Sequence, residues 1–194
     1  FVLAARGDIP ATNLKEFAAW AKKSGKPVVI GSYAPAAVPA LIAARIAKKD
    51  GWAYKVVSFP NPSAKELIAG DADLTTAGAD GAISFAKAGQ VKILSTWRPQ
   101  RNPVFPNAAT PAEEGYGDLY TWGGMAAPVG VPKDIINKLS SVMMESLKDK
   151  AVQDQFKKAG IPAFPMTADQ MSKRVTEDAK WIGDLMTELG MTKK

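Results

Sequence analysis

Neither cysteine nor histidine occurs among the 194 residues of the sequence. Without cysteine the chain can form no disulfide, no thiolate nucleophile and no thiolate metal site. Without histidine it lacks the commonest general base near neutral pH and the commonest metal ligand, so Ser-His-Asp and Cys-His catalysis are excluded. A catalyst built from Asp, Glu, Lys, Ser and Tyr stays open, but these absences favour a binding protein, and we expect neither a cofactor nor a metal site.

Long apolar runs are also absent from the sequence. The most apolar stretch, Val38 to Ala47, is interrupted by Arg45 and is shorter than the ~20 residues that span a bilayer. We interpret this stretch as a buried helix and expect no direct membrane insertion. Hydrophobic residues make up 46% of the chain and charged residues 23%, which is enough apolar material for a globular core.

The chain is basic, with a formal net charge of +6 and a sequence pI of about 9.4. Its lysine pairs lie near the expected ends of helices or at the chain end, where cations complement the helix dipole. These pairs are Lys22–Lys23, Lys48–Lys49, Lys157–Lys158 and Lys193–Lys194. The charges therefore indicate solvated helix ends and no nucleic-acid surface, although a diffuse positive field can draw in anionic ligands.

Strand and helix patterns alternate over the first half of the chain. Strands are predicted at Phe1–Ala5, Val28–Ile30, Tyr54–Phe59, Leu74–Thr76 and Val91–Thr96. Asn13 with Glu16, and Ser63 with Glu66, have the capping-box spacing of helix starts. Strands separated by short helices predict βαβ crossovers and a mostly parallel sheet, and hence an α/β fold.

The second half of the chain is predicted to be mainly helical. Thr110 to Glu113 has the pattern of a helix start, and Leu119 to Ala127 is predicted to be extended. Helices are then predicted at Lys133–Lys148, Lys150–Ala159 and Thr167–Leu189, with a short strand considered at Ala163–Phe164. The apolar faces of these helices need a partner surface, since the region has almost no strands of its own.

Three turns that follow a strand and open a helix form the candidate ligand site, and they span Gly31–Ala37, Phe59–Ser63 and Ala77–Gly81. In open α/β sheets, ligands bind at the C-terminal ends of the strands, where helix N-termini offer N–H groups and a positive dipole end to a carboxylate. The alternative is that these are the ordinary turns of any such fold. Asp71, Asp73 and Asp80 could supply carboxylates to a hard metal ion, but the positions of these residues favour turns.

Six segments of the sequence are similar, in order and spacing, to patterns of one protein family. They are Pro10–Glu16, Gly31–Ser32, Leu67–Leu74, Ala86–Leu94, Arg101–Gly115 and Trp122–Leu139. The last two are the most specific, because they resemble the patterns RSPxxPxxPTxAExG and WxGxxAPxGTPxxIxxKL. The chain therefore resembles the solute receptors of tripartite tricarboxylate transporters, also called Bug-type receptors.

This resemblance implies a type II periplasmic-binding-protein-like α/β fold, with one complete βαβ lobe and the helical C-terminal part of a second lobe. The implied organisation is a crossing strand at 1–5, a ligand-binding lobe at 6–120, a second crossing strand at 121–127 and the helical part at 128–194. The strands of the second lobe, a Pro-Gly-Gly ligand loop and an export signal would belong to an N-terminal third that is not found in this chain.

The resemblance also implies a periplasmic receptor that captures a small organic carboxylate for the membrane permease subunits of the transporter, and that is not an enzyme. Ligand contacts are expected from Gly31, Ser32, Tyr33, Ala34, Phe59, Asn61, Ala77, Gly78 and Asp80. Two alternatives stay open. The chain could be an effector-sensing domain of the same bilobal fold, or an incomplete receptor fragment without independent binding.

The candidate turns depart from the family pattern in ways that bear on the ligand. Ala77 stands where the family commonly has aspartate, Tyr33 replaces part of a glycine-rich turn, and Phe59 begins a turn that usually reads Tyr-Lys-Gly. These changes remove charge and add aromatic surface. We therefore expect an aromatic or otherwise apolar-bodied carboxylate in preference to an amino acid, the alternative being that both rings only support the loops.

Overall fold

The five predicted strands pair into one mixed sheet. In a computed structural model, which describes residues 1–161 and 163–192, they are β1 (Val2–Arg6), β2 (Val28–Ser32), β3 (Tyr54–Ser58), β4 (Leu74–Ala77) and β5 (Val91–Thr96). Their order across the sheet is β3-β2-β4-β1-β5. β2 is parallel to β3 and β4, whereas β1 is antiparallel to both β4 and β5. Four strands therefore run in one direction, as predicted, and β1 runs against them.

Seven helices complete the described part of the chain and confirm the α/β class. Four alternate with the strands, namely α1 (Leu14–Ser24), α2 (Val38–Asp50), α3 (Lys65–Ala69) and α4 (Ala79–Lys87). Three follow the sheet, namely α5 (Lys133–Ser146), α6 (Lys150–Lys158) and α7 (Ala168–Glu188).

Helix α1 shows how local sequence fixes an element and its buried face. The Asn13 side chain accepts a hydrogen bond from the Glu16 amide at 2.9 Å, and Gly25 ends the helix in the left-handed region at φ 66°. Leu14 and Phe17 lie on the predicted apolar face, and both are fully buried. Burial of such a side chain contributes about 1.5–3 kcal/mol, so the packed face stabilises this helix more than its caps do.

Helix α2 is apolar on nearly all sides, which is the pattern of a helix that the rest of the protein surrounds. Leu41, Ile42 and Ile46 are fully buried, which confirms the prediction of a buried helix for this stretch. Gly51 ends α2 at φ 71°, and its amide donates to the carbonyls of Ala47 and Lys48. In the described part of the chain, no helix has both the length and the apolar character needed to cross a bilayer.

The predicted helix start at Thr110 is wrong, although its hydrogen bonds form. The Thr110 amide donates to Glu113 Oε2 at 2.7 Å, and the Glu113 amide donates to Thr110 Oγ1 at 3.3 Å. The chain makes only turns here, because Gly115 (φ 84°) and Gly117 (φ 86°) take the left-handed conformation directly afterwards. A capping box therefore opens a turn that two glycines prevent from becoming a helix.

The predicted crossing strand at 121–127 is not a strand, and neither are Ala163 and Phe164. A strand needs the backbone of a neighbouring strand as its hydrogen-bond partner. The Thr121 amide does reach the Trp97 carbonyl, at 3.4 Å. Residues 123–127 are exposed and pair with no strand of the sheet, so this segment stays irregular.

The contacts divide the chain into two units. The first comprises Phe1–Thr121 and the residues from Leu185 onward, and the second comprises Trp122–Asp184. Within the first unit, the end of α7 is held beside α2. Leu185 is buried, the Glu188 carbonyl accepts a hydrogen bond from Lys48 Nζ, and the Glu188 carboxylate lies 3.7 Å from Arg45 Nε.

The second unit is helical and is organised around Asp178. Its carboxylate accepts a hydrogen bond from Trp122 Nε1 at 2.5 Å and pairs with Arg174 Nε at 2.8 Å. Both bonds are partly buried. The bonds tie the indole to α7.

Helix α5 in this unit exposes its apolar face. Leu139, Val142 and Met143 are 53%, 51% and 40% exposed, and the helix has no buried residue. Together with Ile135 they follow the i, i+4, i+7, i+8 spacing of a single face. A stripe of this kind is a contact surface, because exposed apolar side chains of soluble proteins are normally scattered singly.

We expect the 194-residue chain, expressed alone, to associate through α5. Replacing both Leu139 and Val142 with glutamate should weaken association at least about tenfold, because each side chain contributes about 1.5–3 kcal/mol when buried. Sedimentation velocity over a concentration series measures the effect. Lys138→Glu makes the same total change of charge at an exposed polar position of α5 and is the matched control. A wild-type chain that stays monomeric, with dispersed amide signals across residues 133–189, would contradict this expectation.

Candidate functional site

The three predicted turns meet at one edge of the sheet. β3, β2 and β4 are neighbours and run in the same direction, so the turns that follow them lie side by side. This is the edge at which open α/β sheets bind ligands, because helix N-termini and loops converge there. The same edge carries the start of β1 and the end of β5, since Val2 is paired with both Ala77 and Thr96.

Gly31 and Ser32 complete β2, whereas the sequence pattern assigned them to the turn. Gly31 is required here because the Phe59 ring and Thr75 lie against it. A Cβ at Gly31 would be 3.1 Å from Phe59 Cε2 and 3.0 Å from Thr75 Cγ2, which is closer than ordinary contacts. The Phe59 amide also donates to the Ser32 carbonyl at 2.8 Å. The contacts of Phe59 thus hold the end of β3 against the end of β2.

The Ser32 hydroxyl joins two strands. Ser32 is fully buried, and its Oγ accepts a hydrogen bond from Thr76 Oγ1 at 2.8 Å. Thr76 is fully buried as well, so the bond is shielded from water. This contact ties β2 to β4 where the candidate turns begin. The predicted contact between Ser32 and a ligand stays a prediction.

Tyr33 is the most exposed aromatic residue at this edge. Its side chain is 45% exposed, and the residues from Ala34 to Ala36 are exposed as well. The Tyr33 ring meets the Phe1 ring edge-on, with centroids 6.3 Å apart and an interplanar angle of 79°. The phenol can therefore contact a ligand, whereas half-buried Phe59 is held by its neighbours.

The N-terminus of α2 has no side-chain cap. Ala37 is the extended N-cap residue, it makes no side-chain cap hydrogen bond, and the first turn contains no acidic residue. The first N–H groups of a helix have no partner within the helix, and the helix dipole makes this end positive. Pro39 has no N–H, so the free donors of α2 belong to Val38 and Ala40. A carboxylate is the natural partner for such a helix end.

The N-terminus of α4 carries its own carboxylate. Gly78 is the N-cap residue, and Asp80 Oδ1 lies 2.5 Å from the position that a Cβ at Gly78 would occupy. A side chain at position 78 would therefore displace the Asp80 carboxylate. Ala77 is buried and Asp80 is exposed, so the acidic group of this turn is the one that solvent can reach. An anion is consequently favoured less at α4 than at α2.

The turn after β3 contributes less to the site. Asn61 is exposed, Pro62 is buried, and Glu66 accepts hydrogen bonds from the Ser63 amide at 2.8 Å and the Ser63 hydroxyl at 3.0 Å. The predicted contact between Ser63 and Glu66 therefore forms, but the N-cap residue of α3 is Ala64, which has no side-chain cap. That helix has only five residues, so it offers a weak dipole.

Of the three aspartates Asp71, Asp73 and Asp80, Asp73 has a structural role. Asp73 accepts a hydrogen bond from the Val29 amide at 2.9 Å and lies 3.4 Å from Arg6 Nη1. Among the residues that the structure describes, no group of three or more acidic side chains could hold a metal ion.

Arg98 also lies at this edge, although the sequence placed it only in a loop. It follows the end of β5, and its amide donates to the Thr96 carbonyl at 3.0 Å. Burial lowers the pKa of the Arg98 guanidinium. No sequence signal marks this residue, because its burial depends on the position of β5 in the sheet.

Comparison with known proteins agrees with this geometry. Residues 1–191 match the family model described as the tripartite tricarboxylate transporter family receptor. The UPF0065 protein in the gbd 5'region of Cupriavidus necator is 23% identical over 195 residues, which cover 100% of this chain and 60% of the relative. The chain thus spans about three-fifths of the length of that relative.

Solved structures show the same fold. The periplasmic binding protein BugD aligns with a TM-score of 0.84 at 24% identity, over 100% of this chain and 67% of its own length. MatC from Rhodopseudomonas palustris, solved with bound malate, aligns with a TM-score of 0.80 at 22% identity, over 95% of this chain and 65% of its own. The predicted periplasmic-binding-protein fold is thereby confirmed.

The two aromatic rings at the edge should respond differently to truncation. Tyr33→Ala should weaken ligand binding about 2–10-fold with little change in melting temperature, because an aromatic contact contributes about 0.5–1.5 kcal/mol beyond area burial. Phe59→Ala should lower the melting temperature instead, because the ring packs on Gly31. Calorimetry with malate, succinate and terephthalate, together with thermal melts, measures both effects.

Tyr33→Phe keeps the ring and is the control for the phenol hydroxyl. The ligand-facing role of Tyr33 would be wrong if Tyr33→Ala kept ligand affinity within a factor of two. In that case the aromatic substitutions serve only the loops, and the preference for an apolar-bodied ligand loses its support.

Proposed function

Because the chain belongs to the tripartite tricarboxylate transporter receptor family, we propose that it acts in an extracytoplasmic receptor that captures a small organic carboxylate for the permease subunits of such a transporter. The proposed compartment is the periplasm. The proposed activity is binding without catalysis, which the absence of histidine and cysteine supports.

The observation that carries the proposal is the uncapped N-terminus of α2 at the shared edge of β2, β3 and β4. No side-chain cap and no acidic residue occupies the first turn of this helix. The preceding residues 33–36 are exposed, so a ligand can approach the helix end from solvent. Backbone N–H groups and the positive dipole end would then bind a carboxylate without a lysine or arginine in the same turn.

The ligand class follows from the family and from chemistry at the edge. MatC is described with bound malate, a small carboxylate, which supports the class and leaves the individual ligand open. Tyr33 offers an apolar face beside the proposed carboxylate position, and Ala77 gives no carboxylate that could pair with an amino group. We therefore favour a carboxylate with an apolar body over an amino acid.

A carboxylate should bind more tightly than its amide. Calorimetry on the full-length protein with malate, succinate and terephthalate should detect binding of at least one acid. The corresponding diamide should bind about 10–100-fold more weakly, because hydrogen bonds to charged groups contribute about 1.5–3 kcal/mol.

Equal affinity for an acid and its diamide would show that charge is not recognised and would overturn the proposal. Ala37→Asp tests the position of the carboxylate, since it puts an acidic cap at the N-terminus of α2. It should weaken acid binding while raising the melting temperature slightly. Ser84→Asp is the matched control, because it adds the same charge at an exposed position of α4.

A further inference from the structure

Two nitrogens of the Arg98 guanidinium are buried without a partner, although the residue as a whole is partly exposed. Its Nε and Nη1 nitrogens are inaccessible to solvent and make no hydrogen bond within the described residues. A buried arginine normally pairs with a carboxylate or with carbonyl oxygens, because taking its charge out of water is costly. An arginine left in this state has unused donors arranged in a planar fork.

Arg101, in the same loop, shows the contrasting arrangement. Its Nε donates to both carboxylate oxygens of Glu113, at 2.8 and 3.0 Å, and its Nη1 donates to the Pro106 carbonyl at 3.0 Å. The loop therefore supplies acceptors to Nε and Nη1 of Arg101 and none to the same two nitrogens of Arg98. Burial is the cause that lowers the pKa of Arg98, and no neighbouring carboxylate opposes it.

Thr121 adds a second unpartnered polar group in the same neighbourhood. Its amide donates to the carbonyl of Trp97 at 3.4 Å, so Thr121 lies beside the residue that precedes Arg98. The Thr121 hydroxyl is buried and has no hydrogen-bond partner within the described residues. The Arg98 guanidinium and the Thr121 hydroxyl both lie next to Trp97 and both lack a partner. A carboxylate can accept hydrogen bonds from both groups.

The position of Arg98 relates it to the candidate turns. β1 is the one strand between β4 and β5, and Val2 is paired with both Ala77 and Thr96. Three strand spacings, about 14–15 Å in total, therefore separate the end of β2, which precedes α2, from the end of β5. The Trp97 amide donates to the Phe1 carbonyl at 3.0 Å, which places the residue before Arg98 beside the start of β1.

We propose that Arg98 and Thr121 bind a second anionic group of the ligand, at the end of β5. This inference rests on the proposed function, which places a first carboxylate at the N-terminus of α2, in the turn after β2. The ligand is then a dicarboxylate or a similar dianion, held between the N-terminus of α2 and the side chain of Arg98, which extends from the end of β5. A bidentate arginine contact would make Arg98 the residue that selects dianions over monoanions.

The test compares ligands that differ in one carboxylate only. Succinate is paired with succinamate, and terephthalate with 4-carbamoylbenzoate, in calorimetry on the full-length protein. Wild type should prefer the diacid of at least one pair by about 10–100-fold, as expected for a charge-assisted contact. Arg98→Gln should remove that preference by weakening diacid binding, while affinity for the monoamide changes less than about threefold. Thr121→Val should weaken the diacid about 2–10-fold.

Arg101→Gln is the matched control, because it removes the same charge from the same loop where the arginine already has a carboxylate partner. It should leave the diacid preference within about twofold of wild type. Arg98→Lys keeps the charge without the planar fork and should give an intermediate preference. If thermal melts show that Arg98→Gln does not fold, Arg98→Lys and Thr121→Val decide the question.

Three outcomes would overturn the inference. Arg98→Gln could lose affinity for the diacid and the monoamide equally, or the folded Arg98 variants could keep the diacid preference unchanged. The third outcome is that wild type binds both members of each pair equally. Wild type that binds none of the acids would instead contradict the proposed function itself. The ¹⁵Nε signal of Arg98 provides a direct readout, since it should shift when the diacid is added and stay unchanged with the diamide.

Discussion

The pairing of β1 with both β4 and β5 is the contact on which the functional edge depends. β1 is short, but Val2, Leu3 and Ala4 are almost completely buried, and the strand supplies the only link between β5 and the rest of the sheet among the described strands. Because β1 is antiparallel to its neighbours, it begins where β4 and β5 end. This arrangement brings Arg98, after β5, to the same edge as the turns after β2, β3 and β4. Without β1, the two halves of the site would have no fixed separation.

On the other side of β4, small residues and buried hydroxyls set the spacing of the turns. Gly31 leaves room for Phe59, and Ser32 is bonded to Thr76 across the strands. These contacts act behind the surface that a ligand would meet, so they position the turns without touching the ligand. The arrangement separates rigidity from recognition, because buried residues fix the loops while Tyr33 and the end of α2 remain open to solvent.

Features that depend on neighbouring residues in the sequence could be predicted well, whereas those that depend on distant partners could not. The cap, apolar face and glycine end of α1 lie within a few residues of one another, and all three were predicted correctly. The capping box at Thr110 also forms, but two later glycines prevent a helix. The role of Ser32 depends on Thr76, which is 44 residues away along the chain. Likewise, Arg98 is buried because of where β5 lies in the sheet, and periodicity carries no information about that.

The charges along the edge explain how one site can favour an anion in two different ways. At α2, N–H groups and the helix dipole attract a carboxylate while the ligand-free end stays hydrated, so this helix end costs little when empty. At Arg98, the empty state is itself unfavourable, because two guanidinium nitrogens are buried without acceptors. A carboxylate that reaches Arg98 supplies the missing acceptors, so its affinity includes the relief of a cost already present in the ligand-free protein. An amide cannot give the same relief, because it brings no negative charge and only one acceptor oxygen to the guanidinium fork. The proposed preference for dianions is therefore a property of the unpaired arginine in the ligand-free protein as much as of the contacts in the complex.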